Sequence, residues 1–308
     1  MYTYGIFDPR PQGEESNLAM VAEKNVFGIE VTVHKLAEFC NLGNLDPQHS
    51  EGEGANQAAI EAAMAVELPQ DGALLATIRP DLDSVGTMGL LTLRAQDGEE
   101  VLSPGLRNRV AQIAAVDKAT TGPWYPRKLP SYGELWESDN GHEMAALASI
   151  IGDFKLSIAD RVAVMTRWLR DGIIPSPFYG NYSKKVLDER MALVAALQDG
   201  TIKYTTTADG RIAVVESAHR AATTVGYSLA PIVVAENPQF IFNGGAPHRK
   251  ITICQFSGGY VDLKEVLAEL NGLEDGWGGS PTIGGSPQGV SSSLPTSTIL
   301  EVVRKHLL

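Results

Sequence analysis

The residues with the clearest chemical potential form a short acidic loop at positions 79–84, where Asp81 and Asp83 stand two residues apart. Two carboxylates at this spacing can approach one hard cation, because Mg²⁺ and Mn²⁺ bind oxygen ligands. The same ion would relieve the repulsion between them. Alternatively, either carboxylate caps the helix predicted after the loop by accepting hydrogen bonds from its first backbone N–H groups. The residue types leave both interpretations open.

Two other segments supply groups of the same kind. Asp46 and His49 follow another predicted strand end and offer a carboxylate and an imidazole. An imidazole can bind Mn²⁺, Fe²⁺ or Zn²⁺, or act as an acid near neutral pH. Asp117 ends the apolar stretch 113–116, and Lys118 beside it could meet a phosphate oxygen. A solvated surface position is the alternative for His49 and Lys118.

Candidate anion-binding groups are concentrated in the last third of the chain. Residues 276–289 are rich in glycine and serine, so their backbone N–H groups could close around an oxyanion. This segment lacks the Gly-Lys-Ser/Thr ending of a Walker A loop. The alternatives are paired surface charges at Arg249 and a helix cap formed by Asn140 and Gly141 before His142. The candidates are Arg79, Lys118, His142, Arg249, Gly278, Gly279, Ser280, Gly284, Gly285 and Ser286.

The elements predicted around the acidic loop place it at one edge of a parallel sheet. Residues 73–78 form an apolar run of strand length, which is typical of a sheet covered on both faces. A helical pattern over 85–94 follows. Strand, polar loop and helix in this order put the loop in the crevice beyond the carboxyl ends of parallel strands. Before this strand, the sequence predicts strands at 2–7 and 27–33 and helices at 34–39 and 56–66.

A change of pattern near residue 200 predicts two domains, as expected for 308 residues. The predicted helices before it cover 106–116, 142–151, 158–171 and 183–198, whereas short strands at 212–216, 231–235 and 250–256 dominate afterwards. We therefore expect an α/β fold, with a parallel-sheet domain and helical extension over 1–200. A smaller α/β domain over 201–308 would contain the glycine-rich segment as a loop and end in a helix at 294–308.

Composition limits the partners of the chain. The net charge of -12 argues against non-specific binding to nucleic acid, which needs surplus Lys and Arg. No apolar run approaches the roughly 20 residues that span a bilayer, and the amino terminus lacks a signal-peptide core. We expect a cytoplasmic protein without a membrane partner. Cys40 and Cys254 are expected to be buried thiols.

Residues 77–86, Thr-Ile-Arg-Pro-Asp-Leu-Asp-Ser-Val-Gly, resemble the first motif of the DHH phosphoesterase superfamily, in which a strand leads into a Pro-Asp-x-Asp loop that binds Mn²⁺ or Mg²⁺. Residues 46–49, Asp-Pro-Gln-His, are similar to a degenerate Asp-His-His motif, and Asp117 to a later metal-binding aspartate. The carboxy-terminal region resembles the substrate-binding domain of many such enzymes. Thr77 replaces the family's histidine, residues 46–49 precede the first motif, and no Gly-Gly-His is present. The pattern is that of a remote or permuted relative.

The resemblance implies a metal-dependent phosphoesterase that hydrolyses a small, nucleotide-like phosphate ester or anhydride. One or two Mn²⁺ or Mg²⁺ ions would be held by five side chains, of which Asp81, Asp83 and His49 would also serve in catalysis. The second domain would bind the anionic part of the substrate through its glycine-rich segment. A non-catalytic protein that binds a small anion and a metal-dependent lyase are the alternatives, and a homodimer stays open. The five implied metal ligands are Asp46, His49, Asp81, Asp83 and Asp117.

Overall fold

The computed structural model describes residues 1–47, 57–118, 139–219, 221–241, 245–256, 258–287 and 289–308. These residues belong to two compact units, which are described separately below. The first unit contains the described residues up to Leu187, and the second begins at Asp188. This division falls inside a helix, whereas the change in sequence pattern suggested a boundary near residue 200.

The first unit is built on a four-stranded sheet. Its strands are β1 (Thr3–Ile6), β2 (Val26–Ile29), β3 (Asn44–Leu45) and β4 (Leu74–Thr77), in the order β1-β4-β2-β3. All three pairings are parallel. Every residue of β2 and β4 is buried, which is typical of a sheet covered on both faces. The parallel-sheet α/β class predicted from the sequence is confirmed.

Helices of very different lengths surround this sheet. The long helix α4 is buried from Leu82 to Arg94 and packs against α7, where Gly89 allows a close approach to Met165. Two 3-10 turns lie at Pro11–Gly13 and Glu99–Val101. The helices are α1 (Glu14–Val21), α2 (His34–Ala37), α3 (Ala59–Ala62), α4 (Leu82–Asp97), α5 (Pro104–Lys118), α6 (Asp139–Ile151), α7 (Ile158–Asp171) and α8 (Ser176–Gln198), which contains the division between the units.

The second unit contains a mixed sheet in the order β5-β6-β7-β8-β10-β9. Only β6 and β7 pair in parallel among its described strands. Alternating side chains of β8 enter two apolar clusters: Ile251 and Ile253 face α10 and α11, and Cys254 faces α9. The elements are β5 (Lys203–Thr206), β6 (Ile212–Glu216), α9 (Ala222–Tyr227), β7 (Ile232–Phe240), β8 (His248–Gln255), α10 (Leu263–Leu273), β9 (Gly278–Gly279), β10 (Ile283–Gly285) and α11 (Thr296–Lys305).

Three local predictions differ from the structure. The second strand ends at Ile29 instead of residue 33, because Glu30 has a φ of 53°, which a strand does not accommodate. The segment between the first two strands, for which the sequence predicts no helix, contains α1. The glycine-rich loop is a β-hairpin made of β9 and β10.

Other sequence predictions hold. Cys40 and Cys254 are free and buried, and α11 is the closing helix. Within the described ranges, no helix combines the length and the apolar character required to cross a membrane.

Two helical glycines of the second unit should respond oppositely to alanine. A Cβ at Gly226 would lie 2.4 Å from Val233 Cγ1, so Gly226→Ala should destabilise the unit by about 1–3 kcal/mol. A Cβ at Gly272 would meet no atom within 4 Å, so Gly272→Ala should stabilise α10 by up to about 1 kcal/mol. Urea unfolding measures both changes. Equal effects of the two substitutions would show that the contact with Val233 is not what excludes a side chain from position 226.

Candidate metal centre

Acidic residues follow three neighbouring strands of the first unit. Glu30 comes directly after β2, Asp46 after β3, and Asp81 and Asp83 soon after β4. Carboxyl ends of parallel strands lie at one edge of a sheet, where ligands commonly bind in open α/β folds. Asp117, near the end of α5, completes the set. Four segments of the chain therefore bring carboxylates to this part of the unit.

Three of these carboxylates form a compact group that we call the acidic cluster: Glu30, Asp83 and Asp117. One oxygen atom from each lies within 4.8 Å of the corresponding oxygen atoms of the other two. Oxygen ligands bind Mg²⁺ at about 2.0–2.1 Å and Ca²⁺ at about 2.3–2.6 Å, so ligands on opposite sides of one ion are separated by roughly 4–5 Å. The spacing in the acidic cluster therefore fits a single hard cation.

Asp83 is the most deeply buried member of the acidic cluster, with 1% of its surface exposed. Its Oδ2 accepts a hydrogen bond from the Ala59 N–H at 2.7 Å, and its Oδ1 accepts one from the Ile60 N–H at 2.8 Å. These donors begin the short helix α3. Since a carboxylate has about four acceptor sites, two remain for other partners. Asp83 is thus held at both oxygens while it keeps the capacity to bind a cation.

Asp81 has a different local role. Its Oδ1 accepts a hydrogen bond from the Ser84 N–H at 3.0 Å, and the Asp81 N–H donates to Ser84 Oγ at 3.0 Å. This reciprocal pair is a capping box at the start of α4. The two interpretations of the acidic loop are therefore divided between its members: Asp81 caps its own helix, whereas Asp83 belongs to the acidic cluster and supports α3.

The acidic cluster concentrates negative charge away from water. Burial raises the pKa of Glu30 to about 9, with further contributions from the charges of Asp83, Asp81, Asp117 and Asp46. Burial and the charge of Asp117 raise the pKa of Asp83 to about 7, although the N–H groups of Ile60 and Ala59 act in the opposite direction. In the described part of the chain, neither Glu30 nor Asp83 forms an ion pair with Lys or Arg. A proton or a bound cation would offset the charge of these two carboxylates.

Glu30 is the site residue that sequence reasoning missed. The sequence pattern places Glu30 in the interior of a strand predicted at 27–33. In the structure its left-handed backbone ends β2, a conformation that is uncommon for non-glycine residues and often found at functional sites. The available signal was a carboxylate directly after the apolar segment 26–29, which is the position of a loop residue at the carboxyl end of a strand.

The other metal ligands and substrate-binding residues predicted in the first unit have different positions in the structure. Asp46 and Asp81 lie near enough for their charges to raise the pKa of Glu30. His49 lies outside the described residues. Arg79 is exposed, and its carbonyl oxygen accepts a hydrogen bond from Ser84 Oγ at 2.7 Å. Lys118 and His142 belong to α5 and α6, but their side chains lie outside the described part of the structure.

Arg249, predicted to bind an anion, has structural partners in the second unit. Its guanidinium forms an ion pair with Glu236, with an Nε–Oε1 distance of 2.7 Å and an Nη2–Oε2 distance of 3.1 Å. It also donates to Thr296 Oγ1 and to the carbonyl oxygens of Ser292 and Leu294. Arg249 therefore joins β8 to β7 and to the segment that leads into α11.

The predicted anion-binding glycines lie in the hairpin, together with Ser280 and Ser286. A Cβ at Gly279 would lie 2.2 Å from the Ile283 carbonyl oxygen, and one at Gly284 would lie 2.6 Å from the Leu267 side chain. The Gly278 position has open space. Close packing accounts for glycine at 279 and 284. Ser280 donates its N–H to Ile283 within the turn, and Ser286 Oγ accepts the N–H of Ile251.

No protein-family model matches the chain, and no curated protein matches it at a significant level. The geometry and charge of the acidic cluster therefore provide the basis for a functional proposal.

Without metal, the stability of the protein should fall as the pH rises from about 4.5 to about 9. The folded chain keeps protons on Glu30 and Asp83 that the unfolded chain releases near pH 4, so this contribution is present at low pH and lost through the raised folded pKa values. Urea unfolding in EDTA at a series of pH values measures the decline. Glu30→Gln should make the decline shallower above pH 7, and saturating Mn²⁺ should suppress it in the native sequence.

The matched control for this measurement is Glu15→Gln, which removes an exposed carboxylate from α1 of the same unit. It should reproduce the pH dependence of the native sequence. If Glu30→Gln also reproduces it, the acidic cluster does not hold the excess proton.

Proposed function

We propose that this protein is a metal-dependent phosphoesterase whose divalent cation is held by Glu30, Asp83 and Asp117. The observation that carries the proposal is the meeting of these three carboxylates, from three separate segments, within 4.8 Å of one another. Folding like charges together and away from water is costly unless an opposite charge is bound. A divalent cation is the partner that best fits this requirement.

The donor set favours Mg²⁺ or Mn²⁺. Every ligand atom in the acidic cluster is a carboxylate oxygen, and hard cations prefer such ligands, whereas Zn²⁺ sites commonly include nitrogen or sulfur. Asp46 and Asp81 stand close enough to act on Glu30 electrostatically, so they are candidates for further ligands or for a second ion. The proposal therefore includes one or two Mn²⁺ or Mg²⁺ ions.

The assignment to phosphate chemistry joins this donor set to the Pro-Asp-x-Asp loop at residues 80–83, which resembles the DHH superfamily. Carboxylate-held Mg²⁺ commonly binds substrate phosphates while keeping part of its water shell. When bound, such an ion polarises a phosphoryl oxygen and lowers the pKa of a coordinated water molecule. The proposed substrate is a small phosphate ester or anhydride.

The contribution of the chain itself is to fix the positions of the ligands. The N–H groups of Ala59 and Ile60 hold both oxygens of Asp83, and burial keeps competing water away from it. Ser84 orients Asp81 through the capping box. Metal ligands held by neighbouring hydrogen bonds lose less freedom on binding, which strengthens the site and fixes the geometry of the reaction. Asp81 and Asp83 are thus pre-oriented by different partners.

The proposal predicts Mn²⁺- or Mg²⁺-dependent hydrolysis of bis(p-nitrophenyl) phosphate and short nucleotides, abolished by EDTA and restored by the metal. Glu30→Gln and Asp117→Asn should each lower kcat/KM roughly 100-fold or more, because each removes a charge that holds the cation. Both substitutions nearly preserve side-chain shape. Release of p-nitrophenol measures the rate, and incorporation of ¹⁸O from labelled water into the phosphate product separates hydrolysis from a lyase reaction.

Asp97→Asn is the matched control for these variants. Asp97 is an exposed carboxylate at the end of α4 that pairs with Arg170 at 2.7 Å, away from the acidic cluster. The activity of the Asp97→Asn variant should equal that of the native sequence. Unchanged rates for Glu30→Gln and Asp117→Asn would remove the acidic cluster from the mechanism. Ligand binding without turnover or metal dependence would instead favour a small-anion-binding protein.

A further inference from the structure

A buried lysine in the second unit has no role in the metal centre. Lys250 lies in β8, and 8% of its surface is exposed. Its ammonium group donates to the carbonyl oxygen of Ser286 and lies 3.5 Å from the carbonyl oxygen of Pro287. An ammonium group has three donors, so these two carbonyl groups leave one N–H available.

The charge of Lys250 lacks a counterion among the residues that the structure describes. Its contacts there are with carbonyl oxygens, and no carboxylate lies within ion-pair distance. Its neighbour Arg249 points to the opposite face of the strand and is paired with Glu236. Burial lowers the pKa of Lys250. A buried cation without a counterion is costly, so an anion bound at this face would be stabilised.

A second polar group with unused bonding capacity lies on the same face as Lys250. A Cβ at Gly285 of the adjacent strand β10 would lie 2.8 Å from the Ile251 carbonyl oxygen and 3.3 Å from both Nζ and Cε of Lys250, so the backbone of β8 and Lys250 both pack closely against this position. His248 lies two residues away on the same face of β8, and its Nε2 is buried without a hydrogen-bond partner in the described structure. This face of β8 therefore contains two polar groups with unused bonding capacity, Lys250 and His248.

We propose that Lys250 binds a phosphoryl group of the ligand in the second unit through its remaining N–H group. Lysine binds phosphate as a compact point charge, and one available N–H is enough for a direct charge-assisted hydrogen bond. The identification of the anion as a phosphoryl group of a substrate rests on the proposed phosphoesterase function. The binding of a free tetrahedral oxyanion by Lys250 does not rest on that function, and it can be measured without any metal.

The test uses the full chain in EDTA with inorganic phosphate as the probe and chloride of equal ionic strength as the reference. The melting temperature of the native sequence should rise with phosphate as expected for one saturable site. Lys250→Met should raise the phosphate concentration needed for half of the effect roughly tenfold or more, and Lys250→Arg should raise it less. Lys264→Met, which removes an exposed lysine from α10 of the same unit, should match the native sequence.

Two results would overturn the inference: a native chain whose melting temperature shows no phosphate-specific rise, or a Lys250→Met variant with an unchanged midpoint.

If Lys250→Met does not fold, the native chain gives the answer through reductive methylation followed by peptide mass spectrometry. Phosphate should slow methylation of Lys250 and leave Lys264 unchanged, and equal rates at Lys250 with and without phosphate would contradict the proposal. The phosphate-binding experiments are done in EDTA, so a negative result in them does not contradict the proposed metal-dependent hydrolysis. Likewise, absence of hydrolysis does not contradict phosphate binding by Lys250.

Discussion

Repulsion among carboxylates that folding brings together is the constraint that governs the first unit. Glu30, Asp83 and Asp117 come from three separate segments, and the parallel sheet and α5 place one oxygen of each within 4.8 Å of the others. Such an arrangement weakens the fold unless a proton or a cation accompanies it. The chain thus gives up stability at this edge of the sheet, which natural proteins commonly do at sites that bind ligands.

Asp83 shows how the fold maintains this arrangement. The same carboxylate accepts the first N–H groups of α3 and contributes to the acidic cluster, so replacing it would affect both the cluster and the helix. These N–H groups lower the pKa of Asp83, while burial and Asp117 raise it. Backbone dipoles therefore offset part of the electrostatic cost and leave the remainder to a proton or a metal ion. The support of α3 and the arrangement of the acidic cluster therefore depend on the same two oxygens.

The sequence predicted which edge of the sheet carries this site, but it did not predict every residue of the site. The apolar run 73–78 and the following loop identified β4, Asp81 and Asp83, because strand-loop-helix order fixes which residues lie at the carboxyl edge of the sheet. Glu30 was missed because the end of β2 depends on one left-handed residue, and alternation of residue types does not report φ. The glycine-rich segment was mistaken for an open loop because the steric demands of Leu267 and Ile283 appear only in three dimensions.

The contrast between Arg249 and Lys250 shows why residue type alone does not assign an anion-binding role. The two residues are adjacent, but alternation along β8 directs them to opposite faces of the sheet. Arg249 meets Glu236 and several oxygen acceptors, so its charge is balanced within the chain. Lys250 meets carbonyl groups only among the described residues. The acidic cluster and Lys250 thus pose complementary problems in their own units, one lacking a cation and the other an anion.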